Sequence, residues 1–214
     1  MQNHPIPSVT DPLQYRAIGI VRGIYKPQDD ETFTRGKIID VKGNEIDSVV
    51  LGRVITLIRN HVSLEKPHLW VVYPRCRNNQ NLHLQITGIW EPSTLNKDVV
   101  VQEELSNESS SFKVDSDELS EGDDYFSIRG ELIFTNPEEN EAVVKIRQKP
   151  RNQQKKVLPF KVNLKGAIPI NYLKHFISFD VRRVDYQLLV EDFQIIGPIP
   201  KSSTNNKSRK NLKR

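Results

Sequence analysis

An internal repeat constrains the fold of this chain more than any other feature of its sequence. The tripeptide VRG at 21–23 reappears as IRG at 128–130, 107 positions later. The same offset aligns three further pairs, which are His68 with His175, Leu69 with Phe176, and Arg75 with Arg182. Because so many matches keep one register, the chain is best divided into two related halves, each of the size of a small domain.

Each half contains five segments in which apolar and polar residues alternate, and this alternation predicts β-strands. Polar turns that contain glycine or asparagine separate several of these segments. The predicted strands are 15–27, 33–41, 46–51, 68–75 and 82–90 in the first half, and 125–134, 140–148, 155–166, 175–184 and 186–196 in the second.

The two halves differ between their third and fourth strands. In 51–65 the apolar residues recur at helical spacing, which predicts a short helix after a strand that ends near Leu51. The counterpart LPFKVNLKG alternates as a strand, and the proline-containing AIPINYLK has room for one helical turn at most.

Five strands with a helix between the third and the fourth are the order of a small Greek-key barrel of OB type. We therefore expect an all-β fold with minor α content, in which two such barrels stand in tandem. The repeat resembles tandem OB domains by pattern. The segments TRGKIIDVKGNEIDSVVLGRV and PHLWVVYPR also resemble a protein family common in cyanobacteria, over residues 15 to 92, and that resemblance implies no particular activity.

Charge is unevenly distributed along the chain. Residues 97–124 hold 2 basic and 10 acidic residues, whereas 201–214 hold 6 basic residues and no acidic one. Such one-signed, apolar-poor segments favour solvated, flexible chain. The expected domains are an N-terminal extension (1–14), a first barrel (15–96), an acidic flexible linker (97–124), a second barrel (125–200) and a disordered basic tail (201–214).

Several classes of protein do not fit the sequence. No apolar run is long enough to span a bilayer and no signal peptide is evident, so we expect a cytoplasmic protein without a membrane partner. Cys76 is the only cysteine, which excludes an internal disulfide. Phosphate-loop, nucleophile-elbow and metalloprotease motifs are absent. We therefore expect no enzymatic activity, no metal, no cofactor and no small-molecule substrate.

Basic and aromatic residues supply the candidate binding site. The stretch KIRQKPRNQQKK between two predicted strands carries six cations and no acid, which would attract a polyanion. Arg22 and Arg129 precede the repeated glycine, and either bind phosphate or stand in solvent beside a glycine that a tight bend requires. In HLWVVYPR, Trp70 is the better core candidate, while Tyr73 and Arg75 are better surface candidates.

These features predict sequence-tolerant binding of single-stranded nucleic acid, with RNA preferred over DNA. In this interpretation the basic loop attracts the strand, arginines fix its backbone, and two tyrosines stack on its bases. The predicted contact residues are Arg22, Tyr25, Tyr73, Arg75, Arg129, Lys149, Arg151, Lys155, Lys156, Arg182 and Arg183. The alternative is a protein-assembly or scaffold factor, or a ribosome-associated protein, whose barrels hold a protein partner.

Overall fold

The structure is a computed structural model, and it describes residues 4–29, 31, 33–77, 81–91, 119–148 and 157–199. Within these ranges the elements are β1 (Arg16–Pro27), β2 (Arg35–Asp40), β3 (Glu45–Val50), α1 (Gly52–His61), β4 (His68–Arg77), β5 (Asn81–Trp90), β6 (Tyr125–Asn136), β7 (Glu141–Ile146), β8 (Phe160–Lys165), a 3₁₀ turn (Ile170–Tyr172), β9 (His175–Val184) and β10 (Gln187–Pro198). Most of the predicted acidic linker (97–118) and all of the predicted basic tail (201–214) lie outside the described residues.

Each half closes into a five-stranded barrel. The first barrel has the strand order β2-β3-β5-β4-β1 and closes through β1 and β2. The second has the order β6-β7-β8-β10-β9 and closes through β6 and β9. In both barrels only the third and fifth strands pair in parallel. This is the five-stranded Greek-key arrangement of an OB fold, as the sequence predicted.

The connection between the third and fourth strands differs between the barrels, as predicted. In the first barrel, α1 begins directly after β3 and buries Val54 and Ile58 in the core. In the second, only the 3₁₀ turn is present, and the neighbouring Ile168 is buried instead. Pro169 immediately precedes this turn.

The repeated glycines have a structural role in both barrels. A Cβ atom on Gly23 would lie 2.4 Å from the carbonyl oxygen of Ile39, and one on Gly130 would lie 2.6 Å from that of Lys145. The first strand of each barrel therefore passes the second more closely than any other residue type would allow. This explains why the same tripeptide occurs twice.

The two barrels are joined directly through their sheets. β1 pairs with β6 in antiparallel register from Arg16 opposite Arg129 to Gly19 opposite Phe126, so all ten strands form one continuous sheet. The Phe126 ring occupies the space that a side chain at position 19 would fill. The barrels are therefore connected by backbone hydrogen bonds between β1 and β6 as well as by the predicted linker.

A second apolar cluster lies on the outside of the first barrel. Ile18, Ile20, Leu69 and Val71 pack there under Ile6 from the N-terminal segment. Both faces of β1 and β4 are therefore apolar, because one faces the core and the other is covered by a neighbouring segment. Trp70 faces the core with no exposed surface, which confirms its predicted position, and its indole N–H donates to the Gly23 carbonyl at 2.9 Å.

No helix in the described ranges is long and apolar enough to cross a membrane.

Candidate nucleic-acid interface

The two arginines of the repeated tripeptide bind parts of the protein itself. The Arg22 Nε donates to the Asp123 carboxylate at 2.8 Å, just before β6 begins. Arg129 is only 7% exposed, and its guanidinium donates to the Pro12 carbonyl at 2.7 Å. Burial lowers the pKa of Arg129. The expectation of a direct phosphate contact is therefore corrected for Arg129. Arg22 is half-buried and remains a predicted phosphate contact, for which a phosphate would have to compete with Asp123.

Arg183 holds the two barrels together. It is 4% exposed and binds the Asp40 carboxylate of the first barrel at 2.9 Å and the Asp124 carboxylate at 2.8 Å. Burial acts to raise the pKa of Asp40, but hydrogen bonds from Asn44 and Arg183 outweigh it and the pKa is lowered. A buried guanidinium between two carboxylates cannot reach a phosphate, so the expected nucleic-acid contact of Arg183 is also corrected.

Arg182 is partly exposed and has several partners nearby. Its guanidinium forms a bidentate pair with Glu191 at 3.0 Å on both sides. It also donates to the carbonyl oxygens of Glu121 and Asp123 at 2.7 and 2.8 Å. Residues 119–124, expected as the end of a flexible linker, are therefore folded against the barrels. Arg182 remains a predicted RNA contact, but a phosphate would have to compete with Glu191.

Arg75 lies at the boundary between the barrels. Its guanidinium carbon is 3.6 Å from the centre of the Phe160 ring at the start of β8, and its Nε donates to Gln85 at 3.1 Å. Burial lowers the pKa of Arg75. Arg75 therefore fixes the end of β4 against the start of β8 by a cation–π contact and remains a predicted RNA contact.

The two predicted stacking tyrosines have different positions. Tyr25 has no exposed surface, packs against Trp70, and donates its hydroxyl to the Phe33 carbonyl at 3.1 Å. Burial raises its pKa to about 12. A ring inside the barrel cannot stack on a base, so the role expected for Tyr25 is corrected. Tyr73 is half-buried beside the outer apolar cluster and remains a prediction.

The predicted basic loop lies between β7 and β8. Lys149, Arg151, Lys155 and Lys156 are outside the described residues, and their role as phosphate contacts stays a prediction. The strands on either side fix the loop's two ends, since Ile146 pairs with Phe160. The loop's two ends therefore lie next to the Lys145–Lys161 pair, whose side chains point to the outer face of the second barrel.

That outer face has a feature that the sequence did not predict, which is an exposed aromatic ring on a sheet. Phe134 is 46% exposed. Simple alternation would place it inside with Leu132, but the register shifts between these two residues, so Leu132 faces Val144 and Phe134 faces Val143. The extra residue of this β-bulge turns Phe134 outward. No local sequence signal marks the bulge.

The outward side chains of β6, β7 and β8 form three cross-strand rows, which we call the β6–β8 face. Paired residues on adjacent strands point to the same side of a sheet. The rows are Glu131, Lys145 and Lys161; Phe134, Val143 and Asn163; and Asn136, Glu141 and Lys165. An aromatic and aliphatic centre is thus flanked by lysines on both sides.

The lysines of this face differ in how they are paired. Lys145 forms an ion pair with Glu131, and Lys165 binds Glu141 at 2.9 Å. Lys161 is exposed and has no ion-pair partner within the described part of the chain. Arg147, at the start of the basic loop, lies 3.5 Å from Glu131 and is half exposed. The β6–β8 face therefore presents excess positive charge beside Phe134.

A metal site would need a cluster of ligating side chains. In the part of the chain that the structure describes, no group of three or more His, Cys, Asp or Glu residues is arranged to hold a metal ion. The two histidines that the repeat aligns bind protein groups: His68 lies 2.8 Å from the Glu91 carboxylate and 2.6 Å from the Ser63 carbonyl, and His175 lies 3.2 Å from the Leu173 carbonyl.

Two protein-family models match the chain. Residues 17–97 match the N-terminal OB-fold domain of the PatR RNA-binding protein, and residues 128–197 match the C-terminal cyanobacterial OB-fold-like RNA-binding domain. No curated protein matches it. The matches confirm both the predicted tandem OB fold and the cyanobacterial family. Both descriptions name RNA binding, which supports that general class of function.

Proposed function

We propose that this chain, whose two halves belong to the PatR N-terminal and cyanobacterial C-terminal OB-fold families, binds single-stranded RNA with little sequence preference. Its main contact surface is the β6–β8 face together with the basic loop that connects β7 to β8. Phe134, exposed on a sheet between lysines, is the observation that carries this proposal.

An exposed ring on a sheet favours single strands over duplexes. A nucleobase can stack on Phe134 only if it is free of its own neighbours, and bases inside a duplex are not. Val143, which lies beside the ring in the same row, extends the apolar surface on which a base rests. Stacking of this kind does not depend on base identity, so it supports sequence tolerance.

The charges around the ring favour a phosphate backbone. Lys161 and Arg147 lie in the flanking row and at its end, and the basic loop adds four cations that the structure does not describe. Flexible lysine and arginine side chains attract phosphates without reading bases. The acidic partners Glu131 and Glu141 neutralise part of this charge. We therefore expect binding that weakens steeply as salt increases.

The experiment measures binding of the full chain to labelled 20-nucleotide RNA of mixed sequence, to the same sequence as DNA, and to duplex RNA, by fluorescence anisotropy at several salt concentrations. Replacement of Phe134 by alanine removes one stacking contact, which contributes about 1–3 kcal/mol, so affinity should fall about fivefold to a hundredfold. Phe134→Trp should retain the affinity.

Ile170→Ala provides the matched control. Ile170 is also an exposed apolar residue, 66% accessible, but it lies on the 3₁₀ turn and not on the β6–β8 face. This variant should bind RNA like the wild type. Equal affinity for duplex and single strand, together with no loss in Phe134→Ala, would refute the proposed surface.

A further inference from the structure

Two turns from different barrels meet at one end of the joint between the barrels. The turn between β2 and β3 contributes Asn44, whose side-chain amide donates to the Asp185 carboxylate at 3.2 Å in the turn between β9 and β10. The buried ion pair of Arg183 with Asp40 lies beside this contact. The second barrel's β9–β10 turn is therefore held against the first barrel.

Tyr186 extends from this turn into solvent. It is 50% exposed, and two further exposed apolar residues are Val184 at the end of β9, 38% exposed, and Val41 in the β2–β3 turn, 75% exposed. The pKa of Lys37 on β2 is raised, chiefly by its hydrogen bond to Glu45, with a smaller contribution from the Tyr186 hydroxyl. Asp185, the residue before Tyr186, is hydrogen-bonded to Asn44, so Tyr186 follows directly on a contact with the β2–β3 turn of the first barrel.

Among the described residues of β1, β2 and β3, the outer face of the first barrel carries cations but no aromatic ring. Strand register and side-chain exposure together identify the outward residues of these three strands. They are Ile24, Lys26, Arg35, Lys37, Ile39, Glu45, Asp47 and Val49. Lys26 and Arg35 are exposed and form no ion pair within the described ranges, while Lys37 binds Glu45 at 2.6 Å. The surface can attract a phosphate backbone, but it lacks a stacking platform.

We propose that Tyr186 completes a second RNA-contact site, in which it stacks one base while Lys26 and Arg35 of the first barrel bind adjacent phosphates. This inference rests on the proposed RNA-binding function and extends it to a site assembled from both barrels. An exposed aromatic ring together with exposed cations is the combination that single-stranded nucleic acid recognises.

The joint between the barrels makes such a composite site favourable. β1 and β6 are hydrogen-bonded, and Arg183 links both barrels. Tyr186 therefore occupies its position next to the first barrel before RNA arrives, and binding does not have to order two separate domains. An RNA that contacts both Phe134 and Tyr186 should bind more tightly than one too short to contact more than one of them.

Photo-crosslinking separates the two sites. RNA of 20 nucleotides that contains 4-thiouridine is crosslinked to the full chain and digested with trypsin, which cleaves after Lys and Arg. Phe134 falls in the peptide 130–145 and Tyr186 in the peptide 184–201. We expect crosslinks in both peptides, and loss of the second one in Tyr186→Ala.

Affinity provides the second readout. Tyr186→Ala should weaken binding of the 20-nucleotide RNA about fivefold to a hundredfold, while Tyr186→Phe, which keeps the ring, should bind like the wild type. Lys26→Gln should lower the salt dependence of log K by about 0.7, and Lys66→Gln, in the exposed turn after α1, should not. Thermal melts confirm that each variant is folded.

The outcomes distinguish this site from the proposed function. If RNA binds through Phe134 but crosslinks only to 130–145, or if Tyr186→Ala binds normally, the composite site is refuted while RNA binding stands. If the wild type binds no RNA, the proposed function and this site both fail.

Discussion

The two barrels share one topology but present different outer faces. In the first, β1 and β2 pair without interruption, so Lys26 faces Lys37 on the outside. In the second, the bulge between Leu132 and Phe134 places an aromatic ring at the corresponding position. One extra residue in a strand thus changes a charged face into a stacking face, because a shift by one residue reverses the direction of each side chain.

The connection between the second and third strands differs in the same sense. In the first barrel it is the short turn 41–44, in which the Asp40 carboxylate accepts the backbone N–H groups of Lys42 and Asn44. In the second it is the longer segment 147–159, with its four predicted phosphate contacts. The short turn of the first barrel contacts the second barrel through Asn44, whereas the longer connection of the second barrel carries the predicted phosphate-binding cations. The two barrels thus have the same strand topology, but the side chains on their outer faces differ.

Arg183→Met removes the ion pairs that join the two barrels, and it should lower the free energy of unfolding more than any other substitution proposed below. Removing the guanidinium leaves the buried Asp40 and the half-buried Asp124 without their counter-charge, so we expect about 3–5 kcal/mol less unfolding free energy. Urea denaturation followed by circular dichroism measures it. Arg53→Met, at an exposed arginine of α1, should change stability by less than about 0.5 kcal/mol. A superimposable curve for Arg183→Met would contradict a structural role for this residue.

Neutralising the loop of the second barrel tests whether the difference in connections matters for binding. Replacement of Lys149, Arg151, Lys155 and Lys156 by glutamine should reduce the slope of log K against log salt by about 3, and affinity at 0.15 M salt by about a hundredfold. Anisotropy titrations at several salt concentrations give both quantities. An unchanged slope would mean that these cations do not contact phosphate.

The repeated glycines test what the barrels share. Gly23→Ala and Gly130→Ala each force a Cβ against a backbone carbonyl, so each should cost about 1–3 kcal/mol of stability. Gly52→Ala is the matched control, because nothing lies within 4 Å of the added atom. Urea denaturation compares all three variants. A large loss in one barrel only would show that the repeat is not structurally equivalent at this position.

Alternation, turn residues and the repeat were sufficient to predict the strands, the helix after Leu51 and the inward position of Trp70. They did not predict the outward position of Phe134, because alternation assumes that successive residues point to opposite faces, and the extra residue of a β-bulge breaks this alternation. They also failed for the arginines. Exposed cations were expected at Arg129 and Arg183, but a carbonyl and two carboxylates distant in sequence bind them.

The sequence by itself determined which segments become strands and where glycine is needed, since these properties depend on neighbouring residues and on the pattern of each strand. Only the tertiary structure decided that β1 pairs with β6, that Arg22 binds a residue 101 positions away, and that Arg183 binds one 143 positions away. Such contacts arise when the closed barrels are placed side by side. A local sequence pattern does not show which surfaces will come into contact. It therefore could not predict whether these arginines bind other parts of the protein or RNA.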